Sequence, residues 1–210
     1  MATGAERNTR ERIIEVAALS FAACGYHGTR LHHIADRVGV QKASLFHYFP
    51  SKERLYSAVL EHAFGETERT IRTILEGGSS PLEKIPALVN AYVELVAAQP
   101  QRAKILLRHS LGDAPVTARM PDSQGLLGLV VKCVADGQRA KLFAPIDPLA
   151  LVLGVVGMVA FFFTSAPVLA PAWYAEPSVE QVRRHVTDIV QRCLAISGGA
   201  NVTRPHQAVA

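Results

Sequence analysis

The stretch GVQKASLFHYFPSKERL, residues 39–55, decides the fold of this chain. Gly39 at its start and Pro50-Ser51 near its end bracket a predicted helix over residues 42–49. A helix of about two turns does not persist alone in water, so it must pack against neighbouring helices. Leu45 and Phe49 can supply the inward face, which leaves charged and aromatic side chains of the same helix pointing outward.

Two helices before this stretch can provide the packing partners. The spacing of Ile13, Ala17 and Phe21 predicts a first helix over residues 9–24, and Gly25 supplies a left-handed stop. Residues 31–38 are predicted to form a second short helix, with Thr29 as its expected cap. Two short helices joined by a glycine-containing turn and braced by a third helix are typical of a helix-turn-helix.

The outward surface of helix 42–49 favours a polyanion as its partner. No carboxylate occurs between residues 38 and 51, and residues 1–56 carry eight Lys/Arg against five Asp/Glu. A helix fits the DNA major groove, small side chains let its backbone come close, and polar side chains can bond to bases or phosphates. A solvated surface is the alternative reading of each residue taken singly. The candidate DNA-binding residues are Thr29, Arg30, Gln41, Lys42, Ala43, Ser44, Phe46, His47, Tyr48 and Lys52.

Residues 10–55 resemble the amino-terminal domain of the tetracycline-repressor (TetR) family of transcriptional regulators. The matching residues are Ile13, Ile14, Ala17, Phe21, Gly25, Thr29, Ile34, Ala35, Gly39, Val40, Leu45, Phe46, Tyr48, Phe49, Ser51, Lys52, Glu53 and Leu55. The resemblance implies a DNA-binding regulator, most often a repressor, that dimerises and reads an inverted-repeat operator. An activator, a regulator without a small-molecule ligand and a membrane-associated regulator are the alternatives.

Composition excludes several other classes of protein. The 210 residues are 49% hydrophobic, which is enough for a sizeable core. The three cysteines and the histidines lack metal-ligand spacing, so we expect no metal and no cofactor. No GxSxG, HExxH, GxGxxG or P-loop motif occurs, so we expect no catalytic residues and no enzyme. The polar start MATGAERNTRER lacks the apolar run of a signal peptide, which predicts a cytoplasmic protein.

The remainder of the chain also has helical periodicity. We therefore predict an all-α fold with an amino-terminal three-helix DNA-binding domain and a larger helical ligand-binding and dimerisation domain. The expected divisions are residues 1–56, 57–197 and a disordered tail, 198–210. EGGSSP, residues 76–81, is the clearest linker. Further helices are predicted over residues 52–76, 82–98, 101–111, 123–142, 149–164 and 179–196.

Residues 148–175 carry no charge. About 20 apolar residues would span a bilayer, but Pro167 and Pro171 are expected to cut the helix short, and no basic cluster flanks it. Burial in a core or between subunits is therefore the favoured reading, with no membrane. The last helix carries apolar residues at heptad spacing, which favours a dimer interface over a purely intramolecular face. The resemblance implies that the preceding helix also contributes to this interface. The expected interface residues are Val155, Val159, Val179, Val182, Val186, Ile189, Cys193 and Ile196.

The resemblance also implies a cavity for a small, largely apolar effector within residues 82–175. Ordinary core packing is the alternative for each of its residues. The resemblance implies that ligand binding pivots helix 52–76 and moves helix 42–49 in each subunit of the dimer. The candidate lining residues are Tyr92, Leu107, Arg108, His109, Met120, Leu127, Val131, Met158, Phe161, Phe162 and Trp173.

Overall fold

The computed structural model describes residues 4–115, 123–169 and 178–195, and these residues form nine α-helices and no strand. This confirms the all-α prediction. The helices are α1 (Gly4–Gly28), α2 (Leu31–Val38), α3 (Lys42–Tyr48), α4 (Lys52–Glu76), α5 (Pro81–Ala98), α6 (Pro100–Ser110), α7 (Ser123–Arg139), α8 (Pro148–Leu169) and α9 (Val179–Leu194).

The amino-terminal core joins α1, α2, α3 and the first half of α4. As predicted, Leu45 and Phe49 turn inward and are almost fully buried, together with Phe21 of α1. The core extends beyond the expected boundary at residue 56, because it also contains Leu60 of α4 and Ile105 of α6. The short helices α2 and α3 are therefore stable because they share one apolar core with longer helices.

Ser51 and Gly25 mark helix boundaries as the sequence predicts, whereas Thr29 does not cap α2. Ser51 caps α4 by accepting a hydrogen bond from the backbone N–H of Arg54 at 3.1 Å. Gly25 has φ 70° and ψ 178°, which interrupts α1 near its end. Thr29 does not cap α2, because the cap position is taken by Arg30 without a side-chain hydrogen bond. The hydroxyl of Thr29 instead donates to the carbonyl of Gly25 at 2.7 Å.

The carboxyl-terminal core is formed by the second half of α4 with α5, α7, α8 and α9. Phe64 and Ile71 of α4 are buried in it, whereas Leu55 and Leu60 of the same helix belong to the amino-terminal core. A single helix therefore connects both cores. The break between α4 and α5 lies at the predicted linker, where Ser80 and Glu83 form a capping box.

Helix α8 differs from the prediction in both length and burial. It runs for 22 residues through Pro167 to Leu169, so Pro167 does not end it. By length and composition, the window Pro148–Ser165 could cross a membrane, yet only 17% of it is buried within the chain. Val152, Val159 and Ala160 face the carboxyl-terminal core. The opposite face is exposed, so α8 is not a core helix buried all round.

The predicted interface stripe on α9 is wrong for two of its residues. Val182 and Val186 are buried inside the same chain, where α9 packs against α5. Buried residues then continue at steps of four, through Val190 to Leu194. Val159 of α8 is likewise fully buried in the chain, so these three side chains are not available to a second subunit. Val155 and Val179 are partly buried against the same core, Ile189 is half-buried and Cys193 is exposed.

Candidate DNA interface

The outer surface of α3 is open to solvent in the arrangement that the sequence predicts. Apart from the buried Leu45 and the half-buried Tyr48, the residues of α3 are exposed, and so is Gln41 at its cap. Tyr48 is half-buried, and its ring lies 5.7 Å from that of His47. The ammonium of Lys42 lies 5.8 Å from the centre of the Phe46 ring. The exposed residues are Gln41, Lys42, Ala43, Ser44, Phe46 and His47.

The turn between α2 and α3 fixes the direction of this surface. Gly39 adopts the left-handed conformation, with φ 80° and ψ 33°, and its N–H bonds to Ala35 O at 2.9 Å. The N–H of Val40 bonds to the same carbonyl at 3.0 Å. This closure satisfies the end of α2 and reverses the chain within a few residues. The residues at the amino end of α3, 41–44, are exposed, and Gln41 makes no side-chain cap hydrogen bond there.

Of the two candidates before α2, one is exposed and one is not. Arg30 is exposed beside the start of the helix. Thr29 is 4% exposed, and its hydroxyl donates to the carbonyls of Gly25 and Ser20. Its hydroxyl proton is therefore already used within the protein, and Thr29 positions the start of α2.

Lys52 has two roles in the structure. Its ammonium donates to the carbonyl of His27 at 3.2 Å and lies 4.8 Å from the centre of the Tyr26 ring. Burial lowers the pKa of Lys52. These contacts tie the start of α4 to the end of α1, so Lys52 helps to hold the domain together while remaining half-exposed beside α3.

Two arginines of α1, which carry no recognisable signal in the sequence, pack against the residues around α3. Arg12 donates to the carbonyl of Val38 at 3.2 Å, at the carboxyl end of α2. The guanidinium of Arg10 lies 5.2 Å from the centre of the Phe49 ring. In the sequence, both arginines contribute to the positive charge of residues 1–56. No local pattern distinguishes an arginine that braces a neighbour 26 residues away from one that is solvated.

Arg108 and His109, predicted as ligand contacts, lie where α6 meets the amino-terminal domain. Arg108 pairs with Asp113 at 3.0 Å, next to Gly25 of α1. The His109 ring lies 5.9 Å from that of Tyr56, and its Nδ1 is buried without a hydrogen-bond partner. Burial lowers the pKa of His109, whereas burial and the nearby Asp113 raise the pKa of Tyr56 to about 12. Two neutral rings and one ion pair therefore lie where α6 meets α1 and α4.

The other predicted lining residues are divided between interior and surface. Tyr92, Leu127, Val131, Met158 and Phe162 are partly buried against the carboxyl-terminal core, and Leu107 is half-buried. Burial raises the pKa of Tyr92 to about 12, so its phenol is neutral at physiological pH. Phe161 is 55% exposed and cannot line an interior cavity. Met120, Trp173 and the interface residue Ile196 lie outside the described residues.

Within the described ranges, no three His, Cys, Asp or Glu side chains are grouped closely enough to hold a metal ion. His32 and His33 have their rings 4.1 Å apart at the start of α2, and both are exposed. No carboxylate or cysteine joins them in such a group. The chemistry that this surface offers is therefore hydrogen bonding and positive charge, presented on a short helix.

The similarity of this chain to known proteins covers more residues than the candidate DNA interface. Residues 13–59 match the family described as "Bacterial regulatory proteins, tetR family". The chain is 29% identical over 160 residues to the HTH-type transcriptional regulator RutR of Escherichia coli K12, covering 75% of each chain. It is 31% identical over 93 residues to the HTH-type transcriptional repressor KstR2 of Mycobacterium tuberculosis H37Rv, which is 44% of this chain and 46% of that protein.

Two solved structures show that the same fold continues through the carboxyl-terminal helices. The ketosteroid transcriptional regulator KstR2 of Mycobacterium tuberculosis superposes with a TM-score of 0.72, at 22% identity, covering 89% of this chain and 95% of that chain. AibR, solved in complex with isovaleryl coenzyme A and operator DNA, gives a TM-score of 0.69 at 19% identity, covering 89% and 98%. At these identities the likeness concerns the fold alone.

These relatives are named as transcriptional regulators, not as enzymes. The matched residues 13–59 contain α2 and α3 with the glycine turn between them, and they end within the half of α4 that completes the amino-terminal core. By this match, residues 13–59 form a helix-turn-helix domain of the tetR family of bacterial regulatory proteins, and the described helices share their architecture with solved transcriptional regulators along most of the chain.

Proposed function

We propose that this protein is a homodimeric transcriptional repressor that binds an inverted-repeat DNA operator through α3 and is released by a small, largely apolar effector. The observation that carries the proposal is the exposed surface of α3, where Lys42, Ser44 and His47 stand without a neighbouring carboxylate on the same helix. In a helix-turn-helix the amino-terminal residues of the second helix reach base edges. Ala43 and Ser44 are small enough there for close approach to the groove.

The proposed contacts divide into two kinds. Lys42, Ser44 and His47 are exposed around the side of α3 away from Leu45, and this side would enter the major groove, where hydrogen bonds to base edges give specificity. Arg30 and the half-exposed Lys52 flank that face and suit phosphate oxygens, which fix position without reading sequence. Phe46 and Tyr48 provide apolar contact beside them.

The exposed face of α8 supports the dimer, with a second copy of this chain as its occupant. Leu149, Leu153, Val156 and Phe161 are 38–55% exposed along one side of a helix without charge. The neighbouring α9 adds Ile189 and Cys193 from its outer side, in place of the buried Val182 and Val186. An apolar face of this length is costly in water, and a two-fold axis beside it would bury the face on both chains at once.

A two-fold dimer also has the geometry that operator reading requires. Two copies of α3 would meet successive major grooves about 34 Å apart on one side of a duplex. The shared helix α4 links effector and operator, because it is buried in the carboxyl-terminal core through Ile71 and in the amino-terminal core through Leu60. An effector that binds better when α4 takes a different position would change the distance between the two copies of α3 and lower the affinity for DNA. AibR, which shares this fold, was solved in complex with isovaleryl coenzyme A and operator DNA, so the fold is able to hold both kinds of partner.

A gel-shift titration with the region upstream of the protein's own gene tests the proposal. At low salt the full chain should retain this duplex and not a shuffled duplex of the same composition. Retention should fall steeply as salt rises, because phosphate contacts release counterions. No retention at low salt would contradict operator binding. Retention by a protein that remains monomeric at the same concentration would contradict only the dimer.

A further inference from the structure

Helix α3 has few contacts of its own that fix its direction. Of its seven residues Leu45 is buried and Tyr48 is half-buried, and the others are exposed. Phe49, which ends the helix, adds a second buried side chain. A helix of two turns that is held mainly by two side chains is able to tilt and to turn about its axis. Contacts at its ends therefore decide where its exposed side points.

Arg12 of α1 is bonded to the residue that precedes the turn into α3. Its Nη2 donates to the carbonyl of Val38, the last residue of α2, at 3.2 Å. The last carbonyls of a helix lack partners within it, and a cation there is favoured by the helix dipole. The N–H groups of Gly39 and Val40 both bond to Ala35 O. These backbone bonds close the turn upon α2, and the bond from Arg12 ties the same turn to α1.

The backbone of α1 is held firmly where Arg12 leaves it. Ile13 and Ile14, the next two residues, are almost fully buried in the amino-terminal core. On the preceding turn, the guanidinium of Arg10 lies 5.2 Å from the centre of the Phe49 ring. Arginines of α1 therefore contact the residues that end both α2 and α3, and they reach them from a helix that the core holds in place.

We propose that Arg12 is a positioning residue for operator recognition, which sets the direction of α3 through Val38 and not by contact with DNA. This inference rests on the proposed DNA-binding function. Hydrogen bonds to base edges weaken steeply when distance or angle changes. The attraction of phosphates depends mainly on charge and is independent of sequence. A small displacement of α3 should therefore reduce the affinity for the operator and leave the affinity for other DNA nearly unchanged.

Two other roles of Arg12 would give different results. Arg12 is exposed, so a guanidinium that bonded a phosphate is one alternative. Its loss would then weaken binding to every duplex and lower the salt slope by about one. A purely structural role would lower the melting temperature and leave the ratio of affinities for two duplexes unchanged. This ratio is therefore the quantity that distinguishes the three roles.

Fluorescence anisotropy of the full chain with two duplexes tests the inference, at a temperature well below the melting of each variant. One duplex is the region upstream of the protein's own gene, and the other is a shuffled duplex of the same composition. Arg12→Met keeps the aliphatic stem and removes the charge and the donor. It should lower the ratio of affinities about fivefold, through the upstream duplex alone, with an unchanged salt slope. Arg12→Lys keeps a charge and a donor and should lose less than about twofold.

Two comparisons separate position from charge and from folding. Arg37→Met removes a charge from the exposed side of α2, next to Val38, and should leave the ratio unchanged. In a Lys42→Ala background, Arg12→Met should cost less, because one contact that depends on the position of α3 is already absent. If Arg12→Met does not fold, Arg12→Gln takes its place with the same measurement, because its shorter side chain does not reach the carbonyl in the same way.

The outcomes that would overturn the inference are distinct from failure of the proposed function. An unchanged ratio in the Arg12→Met variant would overturn the inference alone. Equal weakening of both duplexes with a lower salt slope would also overturn it, because Arg12 would then lie at a phosphate. If the unsubstituted protein bound both duplexes equally at every salt concentration, the proposed function would fail, and this inference would fail with it.

Discussion

Arg108 and Asp113 form an ion pair 3.0 Å long directly against Gly25. A Cβ atom at residue 25 would lie 2.5 Å from Oδ2 of Asp113 and 3.0 Å from Nη1 of Arg108. The ends of these two side chains therefore lie against the backbone of α1, and a Cβ at residue 25 would require them to shift. The same glycine has φ 70° and ψ 178°, a conformation that other residues rarely adopt.

Gly25→Ala should lower stability more than the corresponding change at the helix turn. Strain and the contact with Asp113 act together at residue 25, for which we expect a loss of about 2–3 kcal/mol in the free energy of unfolding. Gly39→Ala is the matched control, because Gly39 also has positive φ but a Cβ there would meet nothing within 4 Å. Its expected cost is about 1 kcal/mol. Urea denaturation of both variants measures the difference, and an equal loss would contradict the close approach.

Substitution of Lys42 and of Lys52 should distinguish an effect on DNA binding from an effect on stability. Lys42→Ala should weaken operator binding and reduce the salt slope by about one, with no change in melting temperature, because its side chain is exposed. Lys52→Ala should weaken binding and also lower the melting temperature, because it loses the contacts to His27 and Tyr26. Fluorescence anisotropy at several salt concentrations and thermal melts provide the measurements. Unchanged DNA affinity in the Lys42 variant would remove it from the interface.

The exposed and the buried apolar positions of the last two helices should respond differently to charge. Leu153→Asp on the outer face of α8 should give a folded monomer with weaker operator binding, because this side chain is 50% exposed in one chain. Val186→Asp should instead unfold the protein, because it places a carboxylate in the carboxyl-terminal core. Light scattering and circular dichroism distinguish the two results. If the Leu153→Asp variant remained a folded dimer, the interface would lie elsewhere.

The phenol of Tyr56 should make stability depend on alkaline pH. Its pKa rises from 10.0 to about 12 through burial and the charge of Asp113, so the folded state holds the proton more tightly than the unfolded state. The associated stabilisation is complete below pH 10 and is lost between pH 10 and 12. Tyr56→Phe should reduce the fall in unfolding free energy over this range, and Tyr92→Phe should do the same for the other raised phenol. An unaltered pH profile in both variants would contradict the shifts.

Local signals explain why the amino-terminal domain could be predicted so closely. The bounds of α2 and α4 agree with the sequence because Gly39, Pro50 and Ser51 act on the residues beside them. Residue type predicts Thr29 as the cap of α2, but the nearby carbonyl of Gly25 accepts its hydroxyl proton instead. That contact depends on how the chain turns after α1, which residue type alone does not specify.

The assignment of apolar faces could not be predicted in the same way. Periodicity identifies a stripe on α9 but not the surface that covers it, and Val182 and Val186 belong to both the heptad pattern and the inward row. The row continues through Val190 and Leu194 because α5 lies on that side. Likewise, α8 continues through Pro167, as α5 does through Pro86, so a proline in the sequence did not by itself locate the helix end.

Ile105 reaches from α6 into the amino-terminal core and is 1% exposed there. A fragment that ends with α4 would therefore lack one side chain of its own interior. Chimaeras that exchange only the first 60 residues with another family member would inherit a foreign residue in this gap. The proposed DNA-binding surface can therefore be transferred intact only together with the part of α6 that carries Ile105.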